Sequence, residues 1–397
     1  MNILILTQHF SKSGGGSEIT MSNLARKLSS RGHNVFVICQ KQNIGDAGDE
    51  ENVIPERLNI LGVNPSLPHK GQLSPSIRHN LEYITSSLIK GFKVIRKYQI
   101  DIIHSNSYSS IVAGSILSKL NKVPMVSTIH DVFTTYSTEA WKLWAKQNEV
   151  SFLNQFIGKR FERIVIKMPS SIIHSVSDAT KSDILEINPK AKIRVIPNGI
   201  ELSDYETSKP IEYEKFILFI GRLVFYKNLD VIISYFSTVL GYVPEAKLVV
   251  VGDGPMRNKW EMMVKDLNLE GKVQFTGKVS NTVKLELLRT CSSLILPSTF
   301  EGFGLVILES YAMSKPVLVA NVEPFDEIVS DQVDGFLVAL DNKDGWVNNM
   351  VSLLLDTAQC RVMGMRGRKK VESNFKMDSV ADRMESLYRS LLAKQYR

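Results

Sequence analysis

The chain has 397 residues, 44% hydrophobic and 22% charged, with 48 Lys and Arg against 41 Asp and Glu for a formal net charge of +7. That length exceeds what one hydrophobic core usually sustains and that composition excludes disorder, so two soluble domains of roughly 150 to 200 residues each are expected. Three widely separated cysteines, Cys39, Cys291 and Cys360, exclude a disulfide framework and show no zinc-like spacing, which fits a reducing cytoplasm.

The opening run Met1–Thr7 has no basic leader and is too short for a signal peptide or a membrane span, and no other apolar stretch is long enough to cross a bilayer. Charge is unevenly spread. Residues 70–170 hold fourteen Lys or Arg against six Asp or Glu, so that segment carries +8 and the remainder −1. A surface that attracts anions is expected there, with a solvated basic face as the bland alternative.

Ile3-Leu4-Ile5-Leu6 reads as a buried strand, Glu18 to Ser30 as a helix, and Val35-Phe36-Val37-Ile38 as the next strand. Ser13-Gly14-Gly15-Gly16-Ser17-Glu18 joins the first strand to the helix, and Gly15 and Gly16 can let backbone N–H groups approach an anion at the helix N-terminus. A dinucleotide fingerprint would need glycine at Ile19 and an acid after the second strand, which ends Cys39-Gln40-Lys41. The oxidoreductase reading weakens accordingly, and a plain turn is the alternative. Further strands are predicted at Ile100-Asp101-Ile102-Ile103, Pro124–Ile129, followed by His130-Asp131, and Ser171–Val176. Between the last two, Trp141, Trp144, Phe152, Phe156, Phe161, Ile164, Val165 and Met168 alternate with Lys142, Lys146, Lys159, Arg160, Arg163 and Lys167, the spacing of a helix lying in a membrane interface. Packing of the same apolar residues on the first sheet is the competing explanation.

After Ile196-Pro197-Asn198-Gly199-Ile200 and a polar linker near 200–214 the rhythm restarts. Strands are predicted at Phe216–Ile220, Lys247–Val251, Val273–Phe275, Ser293–Leu296, Pro316–Ala320 and Gly335–Val338. Strands alternating with helices imply parallel, doubly wound sheets. Gly221 is followed by Arg222 and Lys227 just past the first of these strands, where two cations can neutralise a diphosphate leaving group without a metal. Gly252-Asp253-Gly254-Pro255 is a turn by composition, and Asn198-Gly199 a second one. In Pro297-Ser298-Thr299-Phe300-Glu301-Gly302-Phe303-Gly304-Leu305, Glu301 sits in a loop and Glu309 eight residues on, in the helix that the loop opens. That separation is too large for one shared proton, so the two carboxylates suit different parts of one elongated ligand.

This segment, with Gly14–Glu18, Arg31-Gly32-His33, His130-Asp131, Ser175-Val176-Ser177, Ile196–Ile200, Gly221-Arg222-Leu223, Gly252–Pro255 and Glu327-Ile328-Val329, resembles the retaining glycosyltransferases of family four. The resemblance covers nearly the whole chain. It implies the GT-B fold: an α/β architecture of two Rossmann-like, doubly wound domains facing a central cleft. Residues 1–203 would form the acceptor side, with the helix of 375–397 packing back on it, and 204–374 the nucleotide-sugar donor side. It implies further that Glu309 holds ribose hydroxyls, Glu301 the transferred sugar, and Arg222 and Lys227 the diphosphate, with backbone N–H groups around Phe303, Gly304 and Leu305. His130 would line the sugar and acceptor site, and Gly15, Gly16, Asn198 and Gly221 would contribute backbone and side-chain contacts to substrate.

Two departures stand out: Glu323-Pro324-Phe325-Asp326 where many relatives carry glycines, and Ser314 where they end a helix with glycine. The expected reaction is transfer of a hexosyl group from a GDP- or UDP-linked donor to a sugar or lipid-linked acceptor. No metal, no other cofactor and no nucleic acid partner are expected, and the protein is placed in the cytoplasm, at the inner face of the cell membrane where an anionic surface would hold it. A GT-B-like nucleotide-sugar epimerase is the runner-up and a basic nucleic-acid-binding module the third reading.

Overall fold

The computed structural model describes residues 1–11, 15–40, 56–63, 77–135, 142–143 and 152–395. They divide into two compact units, Met1–Gly199 with Met377–Arg397, and Ile200–Lys376.

The first unit carries a seven-stranded parallel sheet of order β3-β2-β1-β4-β5-β6-β7. Its strands are β1 (Asn2–Thr7), β2 (Asn34–Gln40), β3 (Leu58–Val63), β4 (Ile102–Asn106), β5 (Met125–Ile129), β6 (Ile172–Ser175) and β7 (Ile193–Val195). Strand residues point alternately to the two faces, so a sheet covered on both sides needs continuous apolar runs. Leu4, Leu6, Phe36, Ile38 and Ile103 face one core with helices α2 (Ile77–Tyr98), α3 (Tyr108–Asn121), α4 (Phe152–Ile166) and α5 (Asp178–Ile187). Ile3, Ile5, Val35, Val37 and Ile102 face the other, under α1 (Gly16–Ser30) and the last helix.

The second unit repeats the pattern in a six-stranded parallel sheet, β10-β9-β8-β11-β12-β13. It is built from β8 (Phe216–Ile220), β9 (Lys247–Val251), β10 (Val273–Gly277), β11 (Ser293–Leu296), β12 (Val317–Ala320) and β13 (Gly335–Val338). Its helices are α6 (Leu229–Tyr242), α7 (Arg257–Asp266), α8 (Asn281–Thr290), α9 (Leu305–Ala312), α10 (Lys343–Leu355) and α11 (Thr357–Asn374). The stretch expected as a linker is tied to this unit, with Glu212 and Glu214 N–H groups donating to the carbonyls of Arg289 and Thr290 at 3.1 and 2.8 Å.

Helix α12 (Met377–Gln395) belongs to the first unit. Met377, Val380, Ala381, Met384, Leu387, Tyr388 and Leu391 form its buried stripe at spacings of three and four. Arg31, at the end of α1, adds ion pairs to Asp378, Asp382 and Glu385.

The basic aromatic stripe divides. Trp141 and Trp144 lie outside the described residues, as do the side chains of Phe152 and Phe156. On α4 and just beyond it, Phe161, Val165 and Met168 pack into the core, against the interfacial expectation, because their spacing puts them on the face toward α3 and the sheet. Arg160, Arg163, Ile164 and Lys167 remain exposed. The outward face of α2 adds Arg78, Leu81, Ile89, Lys93, Arg96 and Lys97, all exposed. No helix among the described residues is long and apolar enough to cross a membrane.

Candidate active site

In the second unit, β8 runs into Gly221–Lys227 and its neighbour β11 into Pro297–Gly304. Strand order reverses between β8 and β11, and open parallel sheets bind ligands at the carboxyl ends of strands flanking that reversal. Asn228 joins the two loops. In the left-handed conformation (φ 47°) it donates through Nδ2 to the carbonyls of Tyr226 and Pro297 at 3.0 and 3.1 Å and to Thr299 Oγ1 at 3.0 Å. The Thr299 N–H returns a bond to the Tyr226 carbonyl at 2.9 Å.

This splice brings Lys227 to Glu301, and Lys227 Nζ pairs with Glu301 Oε1. Lys227 is only 9% exposed, so the carboxylate offsets a desolvated cation that would otherwise be costly. Arg222 is half-buried, and burial lowers its pKa, opposed by Tyr226. The turn Gly252-Asp253-Gly254 buttresses the Arg222 loop backbone to backbone. A Cβ on Gly252 would stand 1.9 Å from the Gly221 carbonyl oxygen, and one on Gly254 would stand 2.4 Å from that of Leu223. Leu223 N–H donates to the Asp253 carbonyl at 3.0 Å. Composition marked a turn here, and close approach explains why its glycines are required.

Gly304 (φ 93°) precedes α9, and a Cβ there would meet Phe325 Cε1 at 2.9 Å. The helix has no side-chain cap, so its first N–H groups and dipole face the loop that carries Glu301. Phe303 is buried with its ring 6.0 Å from that of Phe375, so its backbone, not its side chain, is what it offers a ligand. Glu309 is 7% exposed and accepts bonds from the Tyr205 hydroxyl at 2.9 Å and Lys284 Nζ at 2.8 Å.

In the first unit, His130 follows β5. Thr7 Oγ1 donates to the His9 carbonyl, so it accepts from Asn106 Nδ2 at 3.2 Å, and Asn106 Oδ1 must then accept from His130 Nε2 at 2.6 Å. This order fixes the His130 tautomer, with the proton on Nε2 and Nδ1 as an acceptor. Burial, with His174 adding to it, pushes the His130 pKa down to about 3, so the ring is neutral at ordinary pH. The following loop is held by Glu162, whose two carboxylate oxygens accept the Phe133 and Thr134 N–H groups at 3.0 and 2.6 Å. Burial raises Glu162 to about 7 despite the bond from Tyr108 and those from the two amides. Gly15 caps α1 through its carbonyl, without a side-chain bond, and Gly15 and Gly16 are exposed. Gly14 lies outside the described residues. Asn198 is 4% exposed, and its Oδ1 has no hydrogen-bond partner among the described residues.

Comparison with known proteins decides the family. A model described as Glycosyltransferase Family 4 matches residues 14–204, and one described as Glycosyl transferases group 1 matches 204–370. The chain belongs to glycosyltransferase family four. Among similar proteins, N-acetyl-alpha-D-glucosaminyl L-malate synthase of Bacillus anthracis is 26% identical over 388 residues, covering 95% of this chain and 94% of that one. The Escherichia coli UDP-Gal:alpha-D-GlcNAc-diphosphoundecaprenol alpha-1,3-galactosyltransferase is 26% identical over 335 residues, covering 79% of this chain and 82% of its own. Anabaena HepE, in complex with UDP and glucose, superposes with a TM-score of 0.75 at 19% identity, covering 98% of this chain and all of the other. The two parallel sheets are thus those of a GT-B glycosyltransferase.

Within the glycosyltransferase, strand order brings Gly221, Arg222, Lys227, Glu301, Phe303, Gly304 and Leu305 to the loops at the carboxyl ends of β8 and β11 in the second unit, with Glu309 in the helix α9 that the second loop opens. Gly15, Gly16, His130 and Asn198 belong to the first. Motif reading did not single out Asn106, Glu162, Tyr205 or Lys284, which hold these groups in place. Asn228, next to Lys227 in sequence, was not singled out either, although it joins the two loops.

Proposed function

We propose that the enzyme transfers a hexosyl group from a UDP-hexose, with a GDP-hexose as the second choice, to a hydroxyl of a lipid-linked acceptor, with retention at the anomeric carbon. The observation that carries this reading is the splice of two loops that sets Lys227 against Glu301, one loop also carrying Arg222 and the other leading into the uncapped start of α9. Such a set of cations and backbone donors suits a diphosphate whose charge grows as the glycosidic bond breaks. Arg222 and Lys227 hold that diphosphate, with N–H groups at Phe303, Gly304 and Leu305, while Glu301 takes hydroxyls of the hexose and Glu309 those of the ribose. Neutral His130 presents Nδ1 as an acceptor toward sugar or acceptor hydroxyls, and Asn198 Oδ1 adds a second.

The UDP preference and the lipid-linked acceptor are supported by the Escherichia coli relative, whose name contains both UDP-Gal and a diphosphoundecaprenol, and UDP again by the HepE complex. Attachment at the cytoplasmic face of the membrane is supported by the exposed Arg160, Arg163 and Lys167 of the first unit and by the basic outer face of α2. Lys227 and Arg222 serve the diphosphate where other enzymes use a divalent ion, so transfer is metal-independent. Assaying transfer from UDP-hexoses in excess EDTA tests this: activity persists if the two cations suffice, and its complete loss, restored by magnesium or manganese, would refute it.

A further inference from the structure

Glu309 is held by two side chains, and both load the same oxygen. The Tyr205 hydroxyl donates to Oε1 at 2.9 Å and Lys284 Nζ to Oε1 at 2.8 Å. Among the described residues no protein group hydrogen-bonds Oε2. Three separate elements converge there: the 3₁₀ turn Leu202–Tyr205, the first turn of α8, and the middle of α9. The side chains of Lys284 and Glu309 are 18% and 10% exposed, and Tyr205 as a whole 9%. Burial and the neighbouring Glu309 charge drive the Tyr205 hydroxyl pKa well up, so it remains a donor.

We infer that Tyr205 and Lys284 are the positioning residues of the nucleoside site, loading Oε1 of Glu309 so that Oε2 is aimed at the ribose hydroxyls. The inference rests on the reading of Glu309 as the ribose ligand. A glutamate has three rotatable side-chain bonds, and ordering them on binding costs affinity; two fixed partners settle that ordering beforehand. Lys284 contributes more than geometry. Its ammonium has three N–H groups and spends one on Glu309, so a second can donate to a ribose oxygen while Oε2 accepts a ribose proton. Acceptor and donor side by side match a vicinal diol, in which each hydroxyl both gives and takes a bond. Loss of one hydroxyl leaves a buried polar group unpaired, which disfavours a deoxyribose.

Calorimetric titration of the full chain with UDP, GDP and their 2′-deoxy counterparts tests this, together with donor kinetics and a melting curve for each variant. Tyr205→Phe and Lys284→Met are each expected to weaken the preferred nucleotide about tenfold and to shrink its preference over the deoxy form. Lys284→Arg recovers part of the loss. The effect falls on donor KM, with kcat at saturation held within about twofold, because the groups act before bond breaking. If both variants bind and discriminate like wild type while Glu309→Gln is weakened, the positioning role is wrong and the ribose reading stands. A lowered melting temperature with unchanged binding overturns the positioning role as well, and leaves only a brace between α8 and α9. If Glu309→Gln itself binds and discriminates like wild type, the ribose reading fails and takes this inference with it.

Discussion

Burial and charge conflict directly at Lys227. Its ammonium is nearly out of solvent and is balanced by Glu301, so the protein already tolerates a cation that a departing diphosphate can use. Lys227→Ala and Arg222→Ala are each expected to lower turnover at saturating donor by roughly a hundredfold or more, since they remove stabilisation that grows in the transition state. Lys227→Ala should also lower the melting temperature more, because it strands the Glu301 carboxylate. Near-wild-type turnover in both variants would contradict the assignment. Arg222, Lys227, Glu301 and Glu309 were legible in the sequence because each follows a strand signal or a glycine loop at a telling spacing. Lys284 and Tyr205 were not, since they reach Glu309 across 25 and 104 residues, a distance closed by strand order and not by any local pattern. Ser314 takes the left-handed conformation (φ 53°) where glycine would be at ease, so the departure read from sequence alters the residue and not the shape of the helix end.

Strands buried on both faces announced themselves as apolar runs, which is why β1, β2, β8, β9 and β11 were found close to their true bounds. The edge strands β3 and β7 were missed; β7 has three residues and little apolar surface to mark it. The strand expected from Ile100 begins at Ile102; just before it, the Asp101 N–H donates to the Asn2 carbonyl at 2.8 Å and the Asp101 carboxylate accepts the Asn2 N–H at 2.7 Å. No pattern predicted the buried hydrogen-bond chain that crosses β4, β5 and β6. Its last link fixes the rest: the Ile196 carbonyl can only accept, so His174 Nε2 donates to it at 2.8 Å and Nδ1 accepts from Thr128 Oγ1 at 2.9 Å. Thr128 Oγ1 in turn accepts from His104 Nε2 at 2.6 Å, and His104 Nδ1 accepts from the Tyr388 hydroxyl of α12 at 2.5 Å. A proton added to either ring displaces the hydroxyl hydrogen that now donates to it, Tyr388 for His104 and Thr128 for His174, and breaks the order of the chain. Burial lowers His174 to about 4 and His104 well below its usual value. Between pH 6.5 and 4 the unfolded state therefore holds a proton that His174 lacks in the fold, and stability falls as pH falls, by up to about 1.4 kcal/mol per pH unit, with His104 acting in the same direction. Glu162, raised to about 7, works in the opposite direction between 4.5 and 7. Comparing denaturant unfolding of wild type and His174→Gln across that range isolates one ring: the variant's slope should be shallower by about one proton, and parallel slopes would contradict the neutral chain.

At the scale of the whole molecule, the twofold recurrence of strand and helix was readable because the rhythm stops at Ile196–Ile200 and restarts at Phe216. The return of α12 to the first unit was readable only through the family resemblance, since its apolar stripe alone names no partner. The basic excess of residues 70–170 gives the membrane proposal its test. Several exposed Lys and Arg, each attracted to anionic lipid by about 1 kcal/mol, should make sedimentation with phosphatidylglycerol vesicles rise with anionic content and fall with salt. Equal recovery in the supernatant with neutral and anionic vesicles at low salt would remove the membrane and leave the enzyme. The central claim is transfer with retention from a nucleoside-diphosphate hexose. Its most direct test is nuclear magnetic resonance of the product formed from UDP-glucose, UDP-galactose, UDP-N-acetylglucosamine or GDP-mannose with a diphospholipid-linked sugar acceptor. Product should form only when the acceptor is present, and its new glycosidic bond should keep the donor's anomeric configuration; an inverted linkage, or an epimerised sugar appearing without acceptor, would contradict the claim.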